Sequence, residues 1–349
     1  MIQLTWRQFR TQALLGSIAL AIVAAVLLVT GPHLVAAYHS YLVSCRATDT
    51  CGTFTTGVLH TYQPLRTGLP LLVIAVPAVL GIFWGAPLVA HELETGTFRL
   101  AWTQSVTRRR WLATKLAVVG LSSVGIAGLL ALMASWWANP DYKITQDLFS
   151  PGTFSTRGLV PFGYAAFAFA LGVCSGVILR RTLPAMAVTL IGFAGARLAV
   201  TNWIRPHLSA PSHLNVAISP VNTSLGYAQT SSGVSVLPPT VSIPNAWIHS
   251  TTVVNQAGQA PTQQYLKDTC PKVVDVLTPL PRNATHLPAA TPQDFQSCTA
   301  NIAAKFHEVV TYHPASRYWT FQWYETAIFV AATVVLVAVS FWWIRHRLA

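Results

Sequence analysis

The sequence predicts an all-α polytopic membrane protein: six transmembrane helices, with an enlarged extracytoplasmic segment between the fifth and the sixth. Three observations carry this. Of 349 residues, 52% are hydrophobic and 9% are charged, against roughly a quarter charged in an average soluble domain. Six apolar runs are each long enough to cross a hydrocarbon core about 30 Å thick. The basic residues also gather in the segments that six alternating crossings put on one side of the membrane. The formal net charge of +12 would raise the question of nucleic acid in a soluble chain. Here the inner segments hold eleven Lys or Arg and two acids, the outer segments ten and eight, and Arg197 lies within a span. The excess is a topology signal, and no nucleic-acid partner is expected.

Residues 1–12 place Trp6, Arg7 and Arg10 as in a short helix lying in the headgroup zone. The apolar run 13–37 follows with no small-residue cleavage pattern, so it is read as a retained first span and not a signal peptide. Span two, 68–90, contains Pro70, Pro77 and Pro87 with Gly81 and Gly85. A helix so interrupted survives in lipid when neighbouring helices shield its backbone, so this span is expected to face protein, with Gly81 and Gly85 permitting close approach. Span three, 116–137, ends on the interfacial pair Trp136 and Trp137. Spans four and five, 161–179 and 183–200, form a hairpin about Arg180-Arg181-Thr182, and Gly172 and Gly176 repeat the small-residue spacing. Span six, 321–344, has Trp319, Trp323 and Tyr324 at its outer end and Arg345, His346 and Arg347 at its inner end. An even number of crossings with these markers puts both termini in the cytoplasm.

The outer loop 38–67 contains Cys45 and Cys51, and the segment 201–318 contains Cys270 and Cys298. Paired cysteines in exposed segments predict disulfides in an oxidising compartment, with free thiols as the alternative. Residues 201–318 are enough for a small domain. Up to residue 245 they read as irregular chain or short strands. Beyond that, 261–270 reads as a short helix, and Thr291-Pro292-Gln293-Asp294 opens another. Phe295, Cys298, Ile302, Phe306 and Val309 or Val310 recur at helical spacing, which predicts that this second helix runs to just before Pro314. A Cys270–Cys298 bridge would staple the two helices.

Catalytic chemistry is not legible. No GxxxxGK[ST] stretch is present, so the chain is not expected to hydrolyse ATP itself. His91-Glu92 begins like a zinc-peptidase helix, but Thr95 stands where the second histidine belongs. His207, His213, His307 and His313 have no supporting ligand set, so no metal site is predicted. Arg197 lies about three residues from the outer end of span five. It either snorkels to water or contacts substrate or a lipid headgroup.

The most informative stretch is the basic island at 91–115, HELETGTFRLAWTQSVTRRRWLATK, between spans two and three. Its acids come early, its apolar side is Leu93, Phe98, Leu100 and Trp102, and its bases come late. That arrangement fits a cleft on a cytoplasmic partner; the plainer reading is an interfacial loop that only sets topology.

This loop in its six-span frame resembles the permease subunits of ABC-2 type transporters, the type V exporter kind, and in particular the stand-alone permeases common in actinobacteria. Glu92 and Glu94 match the family's acids, Gly96-Thr97 its Gly-Thr, Ser105-Val106-Thr107-Arg108 its turn, and Trp111 with Lys115 its opening of span three. Val106 stands where the family usually has proline. The resemblance covers roughly 1–200 and 319–349, and the enlarged outer segment departs from compact members. It implies a coupling loop at 91–113 docking on a separate ABC ATPase, present in two copies, through Glu92, Glu94, Gly96, Thr97, Phe98, Leu100, Trp102 and Arg108. It further implies a second copy of this permease, no cofactor bound by this chain, and ATP with Mg on the ATPase. The location implied is a bacterial plasma membrane, and the activity alternating-access export of a hydrophobic or amphipathic substrate such as a drug, lipid or peptide. The competing reading is a membrane sensor or assembly protein whose outer domain binds a ligand.

Overall fold

The computed structural model describes residues 2–48, 60–96, 107–218, 225–230, 233–238, 241, 243–278 and 289–347. The chain forms two compact units, Met1–Ser209 with Arg317–Ala349, and Ala210–Ser316.

The first unit is helical and, among the described residues, has six helices long and apolar enough to cross a membrane. The first, α1, runs from Ile2 to Thr48. The separate interfacial helix expected at residues 1–12 is therefore the first three turns of a continuous rod. Phe9, almost fully buried, packs edge-on against Trp84 with ring centroids 4.7 Å apart, which draws this end of α1 onto the bundle. Pro32 lies inside α1 without ending it. Nearby, Trp137 Nε1 donates to Thr30 Oγ1 at 2.9 Å, and the bare Cα of Gly31 admits the Trp136 ring.

Span two is built from α2 (Gln63–Leu80), a π turn (Gly81–Gly85) and α3 (Ala86–Thr95). Then come α4 (Arg108–Trp137), the short helices α5 (Asn139–Thr145) and α6 (Pro151–Thr156), and α7 (Val160–Leu179). The next helix, α8 (Thr182–Ala199), continues through a second π turn to Ile204 and a 3-10 turn at Arg205–His207. The last span is Tyr318–Arg347, α12 below. Buried residues make up 72% of the apolar window of α7 and 6% of that of α1, so α7 is the axis of the bundle and α1 a peripheral helix.

The two small-residue spacings read from the sequence pack against each other. A Cβ on Gly81 would stand 2.5 Å from the Ala168 carbonyl oxygen, and one on Gly85 would stand 2.7 Å from that of Phe169. From the other side, a Cβ on Gly172 would strike the Gly81 carbonyl, and one on Gly176 would stand 2.6 Å from that of Ala86. Small residues are what allow two membrane helices to approach to backbone contact. The π turn adds a residue to the ladder where this contact occurs, a distortion that is rare and concentrated at functional positions.

In the second unit, the strands β1 (Ser212–Ala217), β5 (Phe306–His313) and β4 (Trp247–Asn255) form an antiparallel sheet in that order, and β2 (Gly226–Thr230) pairs with β3 (Gly233–Leu237) as a hairpin. The helices are α9 (Gln263–Thr269), α10 (Pro271–Leu277) and α11 (Pro292–Ala303). The bridge Cys270–Cys298 ties α11 to the start of α10, within a core shared with Leu266, Val273, Ile302 and Phe306. The Cys45–Cys51 bridge predicted for the first outer loop falls on side chains outside those described.

The long second helix is corrected. It ends at Ala303, and residues 306–313 form the central strand. Phe306, Glu308 and Val310 are buried in alternation, and the β-branched run Val309-Val310-Thr311 suits a pleated surface better than a helix. The apolar positions satisfied both periods over so short a stretch, and pairing on both edges decided for the strand.

Candidate functional site

The island between spans two and three is held by its two flanks. The helix α3 stops because Gly96 takes a left-handed conformation, φ 74°, after Thr95, the usual glycine stop. The next helix starts at Thr107, whose Oγ1 accepts from the Arg110 amide, satisfying one of the open donors of the first turn. Glu92 pairs with Lys115 at 2.6 Å. That ammonium is 4% exposed, also donates to the Leu88 carbonyl at 3.2 Å, and lies 4.9 Å from the Trp111 ring centroid. Span two is thereby pinned to span three.

Glu94 makes the second tie. Its Oε2 accepts from the Thr182 amide at 3.1 Å and from Thr182 Oγ1 at 2.8 Å. Because Thr182 is the first residue of α8, the carboxylate also sits at the positive end of that helix. Of the residues predicted to couple, Glu92, Glu94 and Gly96 are thus placed at the end of span two, and Arg108 opens span three. Thr97, Phe98, Leu100 and Trp102 lie outside the described residues.

A second polar assembly was missed in the sequence. Arg205 and Glu325 form a bidentate pair, Nε to Oε2 at 2.7 Å and Nη2 to Oε1 at 2.9 Å. Arg205 is 1% exposed and Glu325 0%. The Tyr164 hydroxyl donates to Glu325 Oε1, and the Arg205 guanidinium lies 4.2 Å from the Phe154 ring centroid. Three residues earlier on α12, buried Gln322 accepts from the Leu159 and Val160 amides and donates to the Phe154 carbonyl. Arg197, half-buried, places its guanidinium 5.3 Å from the Tyr164 ring centroid. The assembly fastens α12 to α6, to α7 and to the extension of α8, because a bidentate pair satisfies both ions where water is absent. The available signal was an acid inside an apolar run, Gln322 and Glu325 one turn apart in span six. Counting Glu325 with the outer segments hid it.

With both assemblies placed, the comparisons decide the family. The family described as ABC-2 membrane transporter related matches residues 17–205 of the 349. The chain belongs to that family. No curated protein and no solved structure matches it. Its membership and its six long apolar helices make it a multi-pass ABC-2 type membrane permease. Among the described residues no three His, Cys, Asp or Glu side chains gather closely enough to hold a metal ion. The match spans the first five crossings and both flanks of the basic island. The second unit and α12, including Glu325, lie beyond it.

Proposed function

We propose that this permease works with a separate ABC ATPase, two copies of which bind ATP and Mg, and that the segment 91–113 is the coupling element on which the ATPase docks. In this reading Glu92, Glu94, Gly96, Thr97, Phe98, Leu100, Trp102 and Arg108 form the contact. A second copy of the permease completes the pathway, and both termini lie in the cytoplasm of a bacterial cell. Closing the ATPase pair draws the two coupling elements together, shifts the spans, and expels a hydrophobic or amphipathic substrate by alternating access.

The observation that carries this is the double tie at the flanks, Glu92 to Lys115 and Glu94 to Thr182. A loop that only set topology would need no such anchoring. A loop that transmits force must be joined to the helices it moves, and here one short stretch is joined to spans two, three and five. The experiment is purification in mild detergent with a candidate ATPase subunit, followed by ATP-dependent transport in vesicles. Glu94→Ala removes a docking contact together with the tie to Thr182, and is expected to weaken association with the ATPase and to lower the transport obtained per ATP hydrolysed; intact association would count against this docking surface. Coupled transport at the unsubstituted level would contradict the role given to that tie. A stable particle containing this chain alone, with no ATPase able to join it, would favour a sensor or assembly protein.

A further inference from the structure

Between α1 and span two an apolar groove of about 400 Å³ is lined by Leu15, Ala19, Val23, Leu72, Val76 and Val79, among others, with Phe83 and Trp84 at one end. A second cavity of about 460 Å³ shares Gln12, Phe83 and Trp84 with it and is lined beyond them by His91, Glu92, Thr95 and Lys115. The two adjoin at Gln12, Phe83 and Trp84, so this face is apolar along the groove and polar only beyond those three residues. The π turn at Gly81–Gly85 shapes its floor: Gly81 and Gly85 press against α7, while Phe83 and Trp84 are delivered to the groove. Gly16 makes the room, since a Cβ there would stand 3.1 Å from the Trp84 ring.

The dimensions and charges name the occupant. From Leu72 to Phe83 the helical rise gives roughly 17 Å, close to the roughly 15 Å depth of one leaflet's hydrocarbon. The polar end holds a cation and an anion paired with each other, Lys115 and Glu92 at 2.6 Å, with Gln12, Thr95 and His91 lining the same cavity. Such an end matches a headgroup carrying both signs and offers nothing extra to a net anion. We infer that this groove is a binding site for one phospholipid of the bilayer with a zwitterionic headgroup. Its chain lies on Trp84, Val76 and Leu20, and its head lies at Glu92 and Lys115. The inference rests on the groove alone and does not require that the lipid be the transported cargo.

The test uses the full chain in phosphatidylethanolamine vesicles containing a trace of phosphatidylethanolamine with a diazirine on its acyl chain. After irradiation, labelled peptides are expected to cluster at 15–23 and 72–84, in several-fold excess over 183–198, whose Leu183, Leu190, Ile191 and Leu198 are also exposed apolar side chains. Ala19→Trp, which fills the groove, should remove that excess, whereas Leu190→Trp on the other surface should not. Even labelling of both regions, or labelling that survives Ala19→Trp in a protein with unchanged helix content, would overturn the site. Exchanging the carrier lipid for phosphatidylglycerol should leave the probe in the groove. Its displacement by that net anion would overturn the zwitterionic assignment.

Discussion

Removing Glu325 alone should be far more damaging than removing it together with Arg205. The variant Glu325→Leu leaves a guanidinium that is 1% exposed facing hydrocarbon and aromatic rings. Breaking one member of a buried pair typically costs about 3–5 kcal/mol, because the other charge remains uncompensated. Beside the Phe154 ring, the hydrogen bond left to Arg205 among the described residues is a long one, 3.4 Å to Ser155 Oγ, so the upper half of that range is expected. For a unit of this size each kcal/mol lowers the melting temperature by about 2–4 °C, which predicts a fall of roughly 8–20 °C in detergent micelles. Arg205→Leu should cost a comparable amount by stranding Glu325, softened by the Tyr164 hydroxyl that still donates to it. The double variant removes both ions and should recover most of the loss, so the two single effects should not add. Melting curves of the four proteins, followed by helix content, complete the cycle. Single effects below about 1 kcal/mol, or strictly additive ones, would refute the claim that this pair is a desolvated clamp on the last span.

Three further outcomes follow from particular contacts. Gly172→Val should force α7 away from the π turn, because a Cβ there meets the Gly81 carbonyl and, at 2.8 Å, the Ala86 amide; overpacking of this kind costs about 1–3 kcal/mol, and the same melting assay reads it. Cys298→Ser should destabilise the second unit by about 3–4 kcal/mol on loop-entropy grounds, given the 28-residue separation of the bridge; denaturant curves of the full chain with and without reductant check it. Asp294, held down at about 2 chiefly by hydrogen bonds from Thr291 and then Lys272, has a folded pKa below its unfolded value near 4. Its contribution is therefore complete above about pH 4 and is lost as pH falls through about 2, so amide protection in the first turn of α11 should drop in that window and be already lowered at pH 5 in Asp294→Ala.

The membrane plan was legible because its signals are long and redundant. Arg108–Arg110, the Arg180-Arg181 turn and Arg345-Arg347 each report one side independently, and every span is bounded by aromatic or basic residues. The small-residue spacings at Gly81 and Gly172 were visible too, but sequence spacing says only that a helix can be approached closely, and here each turned out to be the other's partner. What sequence could not supply was anything fixed by contacts across the chain. The tie from Glu94 to Thr182 and the clamp from Arg205 to Glu325 span 88 and 120 residues, and although Glu325 stands out as an acid in an apolar run, nothing near it in the sequence names Arg205 as its partner. Strand β5 failed for a local reason: Phe306 and Val310 lie at a helical interval of four and also on one face of a strand, and eight residues do not separate the two periods.

The contacts also limit how this bundle can move. Span two meets α7 backbone to backbone along Gly81, Gly85, Gly172 and Gly176, with no side chains between them to change rotamer. Such a seam opens or slides as a whole, because close-packed contacts offer few intermediate arrangements. At the Glu94 end, span two is also tied to the first residue of α8. Near the opposite end of α8, Arg205 is tied to α12, and Tyr164 and Gln322 bind α12 to α7. Spans two, four, five and six are therefore fastened to one another by the glycine seam and by the charged or polar ties. Span three is fastened to span two by Lys115, which pairs with Glu92 and donates to the Leu88 carbonyl, whereas span one joins span two through softer side-chain packing, chiefly Phe9 against Trp84. Any force delivered at the basic island should accordingly move spans two to six as one piece, and the deformable surface is the one where α1 meets span two, the wall of the lipid groove.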